Sequence, residues 1–371
     1  MNEGGNHEKI TYGIIGCGAI AMEKHLPALA RIPEVEIVAF TNTTRQKAEV
    51  AAAQFGCANA IVYSTVDELL ADPTLDVVHI CTRNDTHAEF SIRALEAGKH
   101  VMCEKPMANS IEDARKMVDA ARRTGRKLTI ACNNRFREDS QYLKKACERG
   151  DLGEIYYARA LALRRRAVPG WLLASVEEQG GGPLLDIGTH ALDLTLWVMD
   201  NFEPKSVVGA TYHKLGNRPG EANTWGPWDP GKLTVPDSAF GTITMKNGAT
   251  VMLESSWALN VRKPLEAKTQ LCGTEGGADM ADGLWINGTE FGEYYEKHIT
   301  TDRILNFGNS DTDFTDRSKY GHAGFLEARS WIDSILTDTD PVVKPEQALV
   351  VFEILEAINE SASTGKPVSF D

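Results

Sequence analysis

No stretch of this chain is apolar over the about 18 residues that a membrane-spanning helix needs, so no membrane segment is expected. Positive charge is in short supply. Lys and Arg number 39 against 52 Asp and Glu, a formal net charge of −13, which disfavours nucleic acid and anionic membranes as partners. Cysteine is scarce and unsuited to a disulfide framework: Cys17, Cys57, Cys81, Cys103, Cys132, Cys147 and Cys272 are an odd seven with no Cys-x-x-Cys pair. That pattern fits buried free thiols in a reducing cytosol. The opening residues, MNEGGNHEKI, carry neither a basic segment nor an apolar one. No secretory signal is therefore expected, and a cytoplasmic location is. Gly (32) and Pro (15) are too few for a fibrous or disordered chain, and neither a repeat nor a low-complexity tract is visible.

What remains is a globular composition over 371 residues, 42% apolar and 25% charged. Single cores stop growing near about 250–300 residues, so two domains are expected. The first third alternates short apolar runs with helical patterns. Strands are predicted at 10–15, 35–40, 77–81, 100–103 and 127–132. Helices are predicted at 18–31, 45–55, 67–71, 87–97 and 110–124, the last capped by Ser110 with Asp113 three residues on and closed by Gly125. Such alternation means a parallel sheet covered on both faces.

After about residue 133 the pattern changes. A helix is predicted at 138–149, a long strand at 154–165, a Gly-rich segment at 179–183 and a helix at 186–199. Several strands follow to about 286, with Asn247-Gly248 marking a hairpin, and helices at 324–336 and 346–363 close the chain. The fold class expected is α/β: an N-terminal Rossmann dinucleotide-binding domain over residues 1–133, and a C-terminal α+β domain with an open, mostly antiparallel sheet over 134–371. The segment 216–235, rich in Gly, Pro and Trp, is too long for a turn and reads as a loop over a site.

Gly16-Cys17-Gly18-Ala19-Ile20-Ala21 is a GxGxxA segment between a predicted strand and a predicted helix, the context that dinucleotide binding requires. Gly16 permits the tight turn, Gly18 lets the backbone approach a pyrophosphate, and Ala21 allows close helix–strand packing. Backbone N–H groups at the helix start, including those of Ala19 and Ile20, suit a phosphate. An acidic residue is expected about 20 residues on, at the end of the second strand. Asn42 stands there, followed by Thr43 and Arg45. An amide can bond ribose hydroxyls but does not repel a 2′-phosphate, and Arg45 can pair with one. NAD(H) is preferred, with NADP(H) the alternative.

Glu104-Lys105-Pro106 follows the fourth strand at its carboxyl end, the edge where open α/β sheets bind ligands. Glu104 and Lys105 are placed at the cofactor, as are Thr82, Asn84 and His87 after the third strand. Asp186 and His190 are spaced i,i+4 and so share a helix face. A His beside an Asp suits proton transfer, because His titrates near neutral pH. A capping Asp186 with a core His190 is the competing reading. A metal pair lacks a third ligand at a convincing spacing, so no metal is expected. Asn134 and Arg135 open the second domain and are candidates to reach cofactor or substrate, with an ion pair at the domain boundary as the other reading of Arg135. Strand alternation puts Arg164 and Arg166 on one face. Arg166 and Trp171 are candidates to meet a substrate, and Trp225 and Trp228 either cover a bound group or anchor the loop.

Gly16–Ala21, Glu104-Lys105-Pro106 and Asp186-Ile-Gly-Thr-His190, in this order, resemble the Gfo/Idh/MocA family of NAD(P)-dependent sugar oxidoreductases. Val101–Pro106, Asn134-Arg135-Phe136, Gly150–Ile155 and Gly365-Lys-Pro367 extend the resemblance over nearly the whole chain. It implies that Lys105, Asp186 and His190 are the catalytic constellation, and that the protein is a homo-oligomer (dimer, tetramer or higher) built through the second sheet. Arg164–Trp171, Gly180–Leu184, Tyr212–Leu215 and Trp228-Asp-Pro230 resemble the branch that oxidises the 3-hydroxyl of C- or O-glucosides to 3-keto-glucosides, although Asn42 stands where that branch usually has Asp. The resemblance implies a small-molecule glycoside as substrate, His190 as base, Lys105 stabilising the alkoxide and Asp186 orienting a neighbouring hydroxyl. It also implies a place ahead of a separate isomerase or lyase. The alternatives are an inositol or free-aldose dehydrogenase, hydride exchange with retained cofactor and a 3-keto sugar as acceptor, and a dinucleotide-binding sensor.

Overall fold

A computed structural model describes residues 9–170, 181–300 and 321–370. The chain divides into two compact units, Met1–Asn133 with Asp313–Glu346, and Asn134–Thr312 with Gln347–Asp371. The sequence reading kept 134–371 together. The structure instead returns residues 313–346 to the first unit, because the apolar face of a late helix completes that core.

In the first unit the strands are β1 (Ile10–Ile15), β2 (Val35–Thr41), β3 (Ile61–Val62), β4 (Val77–Ile80), β5 (His100–Cys103) and β6 (Leu128–Ile130). They form one sheet in the order β3-β2-β1-β4-β5-β6, and every pair is parallel. The order reverses between β1 and β4, which opens the crevice used for ligands in such sheets. The helical crossovers include α1 (Leu26–Leu29), α2 (Arg45–Phe55), α3 (Val66–Leu70), α4 (Asn84–Glu96) and α5 (Ile111–Thr124). Ser110 Oγ accepts the Asp113 N–H at 3.1 Å, and Gly125 ends α5 in the left-handed region. Sequence pattern missed β3, a two-residue edge strand whose Ile61 is half exposed. It also started α4 three residues late. The helix α8 (Gly321–Leu336) buries Ala328, Trp331 and Ile332 in the cluster formed by Tyr12, Leu29 and Phe40.

In the second unit α6 (Glu138–Arg149) precedes β7 (Ile155–Leu163), and a wide turn over Leu184–Gly188 runs into α7 (Thr189–Met199). The remaining strands are β8 (Pro204–Tyr212), β9 (Ser238–Met245), β10 (Thr250–Ser256), β11 (Leu265–Gly273), β12 (Gly276–Asp279), β13 (Leu284–Glu290), β14 (Glu293–Ile299) and β15 (Val368–Ser369). With β7 they form a nine-stranded sheet, β14-β13-β12-β11-β7-β10-β9-β8-β15. Among the described strands only β7 and β10 pair in parallel. One face is buried: Ala158, Ala160 and Ala162 lie level with Val251, Leu253 and Ser255. The helix α9 (Pro345–Thr364) lays Ile358 across Gly209 and Gly241, where a Cβ would stand 2.4 Å from Ile358 atoms. The predicted hairpin joins β9 to β10 through a loop in which Gly248 has φ +93° and donates to Met245 O at 3.0 Å. Asn247 keeps negative φ, so glycine alone takes the left-handed position.

Candidate active site

The first unit holds a groove of about 560 Å³ at the reversal point of its sheet. Gly16 turns the chain at the end of β1 with φ +93°, and a Cβ there would stand 2.5 Å from the Cys81 carbonyl oxygen. Gly18 has no heavy atom within 4 Å of its would-be Cβ, so the loop presents bare backbone. Gly16, Gly18, Ala19 and Ile20 line one wall, Asn42 and Thr43 a second, and Thr82 a third. This open cradle of backbone, with polar groups at the end of β2, fits a dinucleotide. Ser64, Thr65, Arg83, Thr86 and Phe90 also line it. Sequence reasoning missed them because no motif marks the loops after β3 and β4 or the first turns of α4.

Not every expected cofactor residue presents a free side chain to the groove. Asn42 lines the groove, but its Oδ1 accepts the Cys17 N–H at 2.9 Å and its Nδ2 donates to Thr44 O at 3.0 Å, so the amide braces the phosphate loop. Arg45 is not on the lining. It is exposed, donating to Glu49 at 2.9 Å and to the groove residue Ser64 at 3.3 Å. Asn84 begins α4 off the lining. His87 is buried, its ring nitrogens facing Pro106 O at 2.7 Å and Thr82 O at 3.2 Å. It is a strut between two loops, because α4 turns that face toward the sheet.

Glu104 corrects the reading more sharply. Its carboxylate is buried and turned away from the groove lining. Oε1 lies 2.6 Å from His25 Nε2 and 3.1 Å from Lys24 Nζ, while Oε2 accepts the Lys105 N–H at 3.1 Å. Lys24 also meets Glu327 at 2.9 Å. Burial pushes the Glu104 carboxyl up, but Lys24 and His25 outweigh it and hold it well below the usual carboxylate range. Burial, then Lys24, pushes His25 down to about 4. Glu104 therefore anchors the backbone that carries Lys105, whose peptide bond to Pro106 is cis. The packing also brings His25, His79 and Cys81 within 4.8 Å of one another, a trio that sequence spacing hides. The positive charge that Glu104 and Glu327 require there comes from Lys24.

In the second unit Asp186 sits in the wide turn and His190 in the first turn of α7. Asp186 Oδ2 accepts from Trp257 Nε1 at 2.8 Å and from Arg164 Nη1 at 3.2 Å. Arg164 turns its other edge to Glu266, with Nε at 2.8 Å from Oε2, and stacks 4.1 Å from the Trp225 ring centroid. Arg164 and Arg166 do not share a strand face, because β7 ends at Leu163. Arg166 instead joins the loop to the segment after β10, donating to Glu221 at 3.1 Å and to Asn260 at 2.7 Å. Trp228 anchors that loop through Gly216 O at 2.8 Å.

Arg135 is also a correction. It is fully buried in the second unit, paired with Asp193 at 2.6 and 2.9 Å and with Gln347 at 2.7 Å, so its guanidinium serves a buried ion pair. Asn134 beside it is partly exposed. Trp171 and Gly180 lie outside the described residues.

Residues 10–132 match the oxidoreductase family with NAD-binding Rossmann fold, and residues 140–279 match the GFO/IDH/MocA C-terminal domain. The chain is 36% identical over 360 residues to D-glucoside 3-dehydrogenase of Escherichia coli, covering 96% of each chain. It is 31% identical to 1,5-anhydro-D-fructose reductase of Ensifer adhaerens over 71% of this chain and 74% of that one. Among solved structures, levoglucosan dehydrogenase in complex with NADH and levoglucosan superposes with a TM-score of 0.82 at 25% identity, covering 98% of this chain and 99% of that one. An oxidoreductase domain protein from Kribbella flavida reaches 0.84 at 22% identity, covering 98% and 100%.

Proposed function

Since the chain belongs to the Gfo/Idh/MocA family of NAD-dependent oxidoreductases, we propose that it oxidises the C3 hydroxyl of a C- or O-linked glucoside to the 3-keto-glycoside. The observation that carries this reading is the end-to-end similarity to D-glucoside 3-dehydrogenase, 36% over 96% of each chain. A nicotinamide held by the first unit supplies the hydride acceptor. NAD(H) is preferred and NADP(H) is the alternative, because Asn42 leaves the end of β2 uncharged.

Gly18, Ala19 and Ile20 would receive the pyrophosphate on backbone N–H groups, while Gly16, whose own N–H donates to Thr41 O at 2.9 Å, makes the turn that presents them. Thr43 and Thr82 flank the ribose moieties. His190 takes the proton of the 3-hydroxyl as the C–H bond breaks. Lys105 donates a hydrogen bond to the same oxygen and stabilises its developing charge. Asp186, braced by two donors on Oδ2, accepts from a neighbouring sugar hydroxyl and fixes the ring. The protein acts as a homo-oligomer, and the keto product is passed to an isomerase or lyase.

The test is product analysis with methyl glucoside, aryl O- and C-glucosides, glucose and myo-inositol, each with NAD, NADP or 3-keto-glucose as acceptor. A glycoside lighter by two hydrogens, with the ketone placed at C3 by NMR, is the expected result. Oxidised inositol or gluconolactone alone overturns it in favour of a polyol or aldose dehydrogenase. Bound nucleotide with no product overturns it in favour of a sensor.

A further inference from the structure

We propose that Arg164 is a positioning residue for Asp186, and that through Trp225 it ties the loop 216–235 to that carboxylate. The inference rests on the proposed role of Asp186. The geometry behind it lies wholly within the second unit. Arg164 follows the last residue of β7 and is 7% exposed. Its guanidinium is used on three sides: Nε on Glu266 at 2.8 Å, Nη1 on Asp186 Oδ2 at 3.2 Å, and one face on Trp225 at 4.1 Å. Burial works against the charge, but Glu266 and Asp186 outweigh it and keep Arg164 protonated.

Trp257 is 1% exposed and donates to the same Asp186 oxygen at 2.8 Å. Two fixed donors on Oδ2 set the rotation of the carboxylate and aim Oδ1 in one direction. Glu266 answers the second half of the guanidinium, so Arg164 does not swing away when a sugar hydroxyl competes for Asp186. Trp225 comes from the loop, which is itself fastened by Trp228 to Gly216 O at 2.8 Å and by Asn223 to Val168 N–H at 2.9 Å. A planar cation is needed here. A Lys ammonium can bridge two carboxylates, as Lys24 does, but it has no planar face to lay on an indole while its donors hold both partners.

The experiment compares wild type with Arg164→Met and Arg164→Lys, using glucoside oxidation, NADH titration and the carbonyl NMR signal of ¹³C-labelled Asp186, assigned through Asp186→Asn. Arg164→Met is expected to lower kcat about a hundredfold with NADH affinity unchanged, and Arg164→Lys to recover about tenfold of that loss. The acid limb of kcat/KM and the Asp186 carbonyl titration both move to higher pH in Arg164→Met, because a cation has left the carboxylate. Wild-type kcat with an unmoved acid limb in Arg164→Met overturns the proposal, as does lost NADH binding in both variants, which would mark a purely structural residue. If wild type oxidises no glucoside, the functional reading fails. The NMR titration then decides the Arg164–Asp186 coupling, and an unshifted signal refutes it.

Discussion

At the scale of single residues the site is governed by what each charge faces. Lys105 is fixed through its own N–H by Glu104, so backbone and side chain have separate duties. Replacing Lys105 by Ala should cut turnover about a thousandfold while NADH still binds, read by steady-state rates and nucleotide fluorescence. Turnover within threefold of wild type would refute its role. Gly16 has no such latitude. With φ +93° and the Cys81 carbonyl 2.5 Å from a would-be Cβ, Gly16→Ala should abolish measurable NADH binding. Equilibrium dialysis checks this.

His25 gives a pH prediction. Its folded pKa, pushed down by burial and then by Lys24 to about 4, lies below the model-compound value of 6.5. The unfolded chain therefore takes up the proton first. The stability it contributes is complete above about 6.5 and is lost as pH falls toward 4. Glu104, also depressed, adds a loss below 4.5. Melting temperature followed from pH 7.5 to 4 should fall across this window, and the fall should be shallower between 6.5 and 4.5 in His25→Gln. Parallel curves for the two proteins would contradict the assignment.

At the scale of elements, glycines in the second sheet have different duties, which substitution separates. Gly209 and Gly241 are neighbours across β8 and β9 under Ile358. At Gly209 a Cβ would press on the Ile358 carbonyl oxygen at 2.4 Å, so Gly209→Ala should cost about 3 kcal/mol, because backbone must move. Gly248 meets nothing within 4 Å, and only its φ of +93° resists a side chain. Gly248→Ala should cost about 1 kcal/mol. Urea midpoints rank the two, and the reverse order would show that the helix yields more easily than the turn.

At the scale of the whole molecule, the second sheet has one face covered and one exposed. Val208, Thr242, Met252, Arg159 and Gln270 run across it from β8 to β11 in register. Val208 is 51% exposed and Tyr212, four positions on, 43%. The homo-oligomer proposed above would use this face as its contact. Light scattering should find a dimer or larger for wild type and a smaller species for Val208→Glu. An assembly unchanged by that substitution would place the contact elsewhere.

Sequence by itself settled whatever depends on neighbours along the chain. The GxGxxA turn, the Ser110 cap, the Asn247-Gly248 hairpin and the strand–helix alternation are local, since each is fixed by φ, by a short hydrogen bond or by apolar period. They sufficed for the parallel sheet and for the glycine turn that follows its first strand. Tertiary structure decided what depends on distant partners. Arg135 is a core ion pair because Asp193 waits 58 residues on. Glu104 faces inward because Lys24 and His25 lie 80 and 79 residues away. Arg164 reaches Asp186 and Glu266 because β7 ends one residue before it and lies beside β11. Nothing in the spacing of a buried charge names its counter-charge, because a sequence records which groups must be neutralised and only the packed chain decides which of them meet.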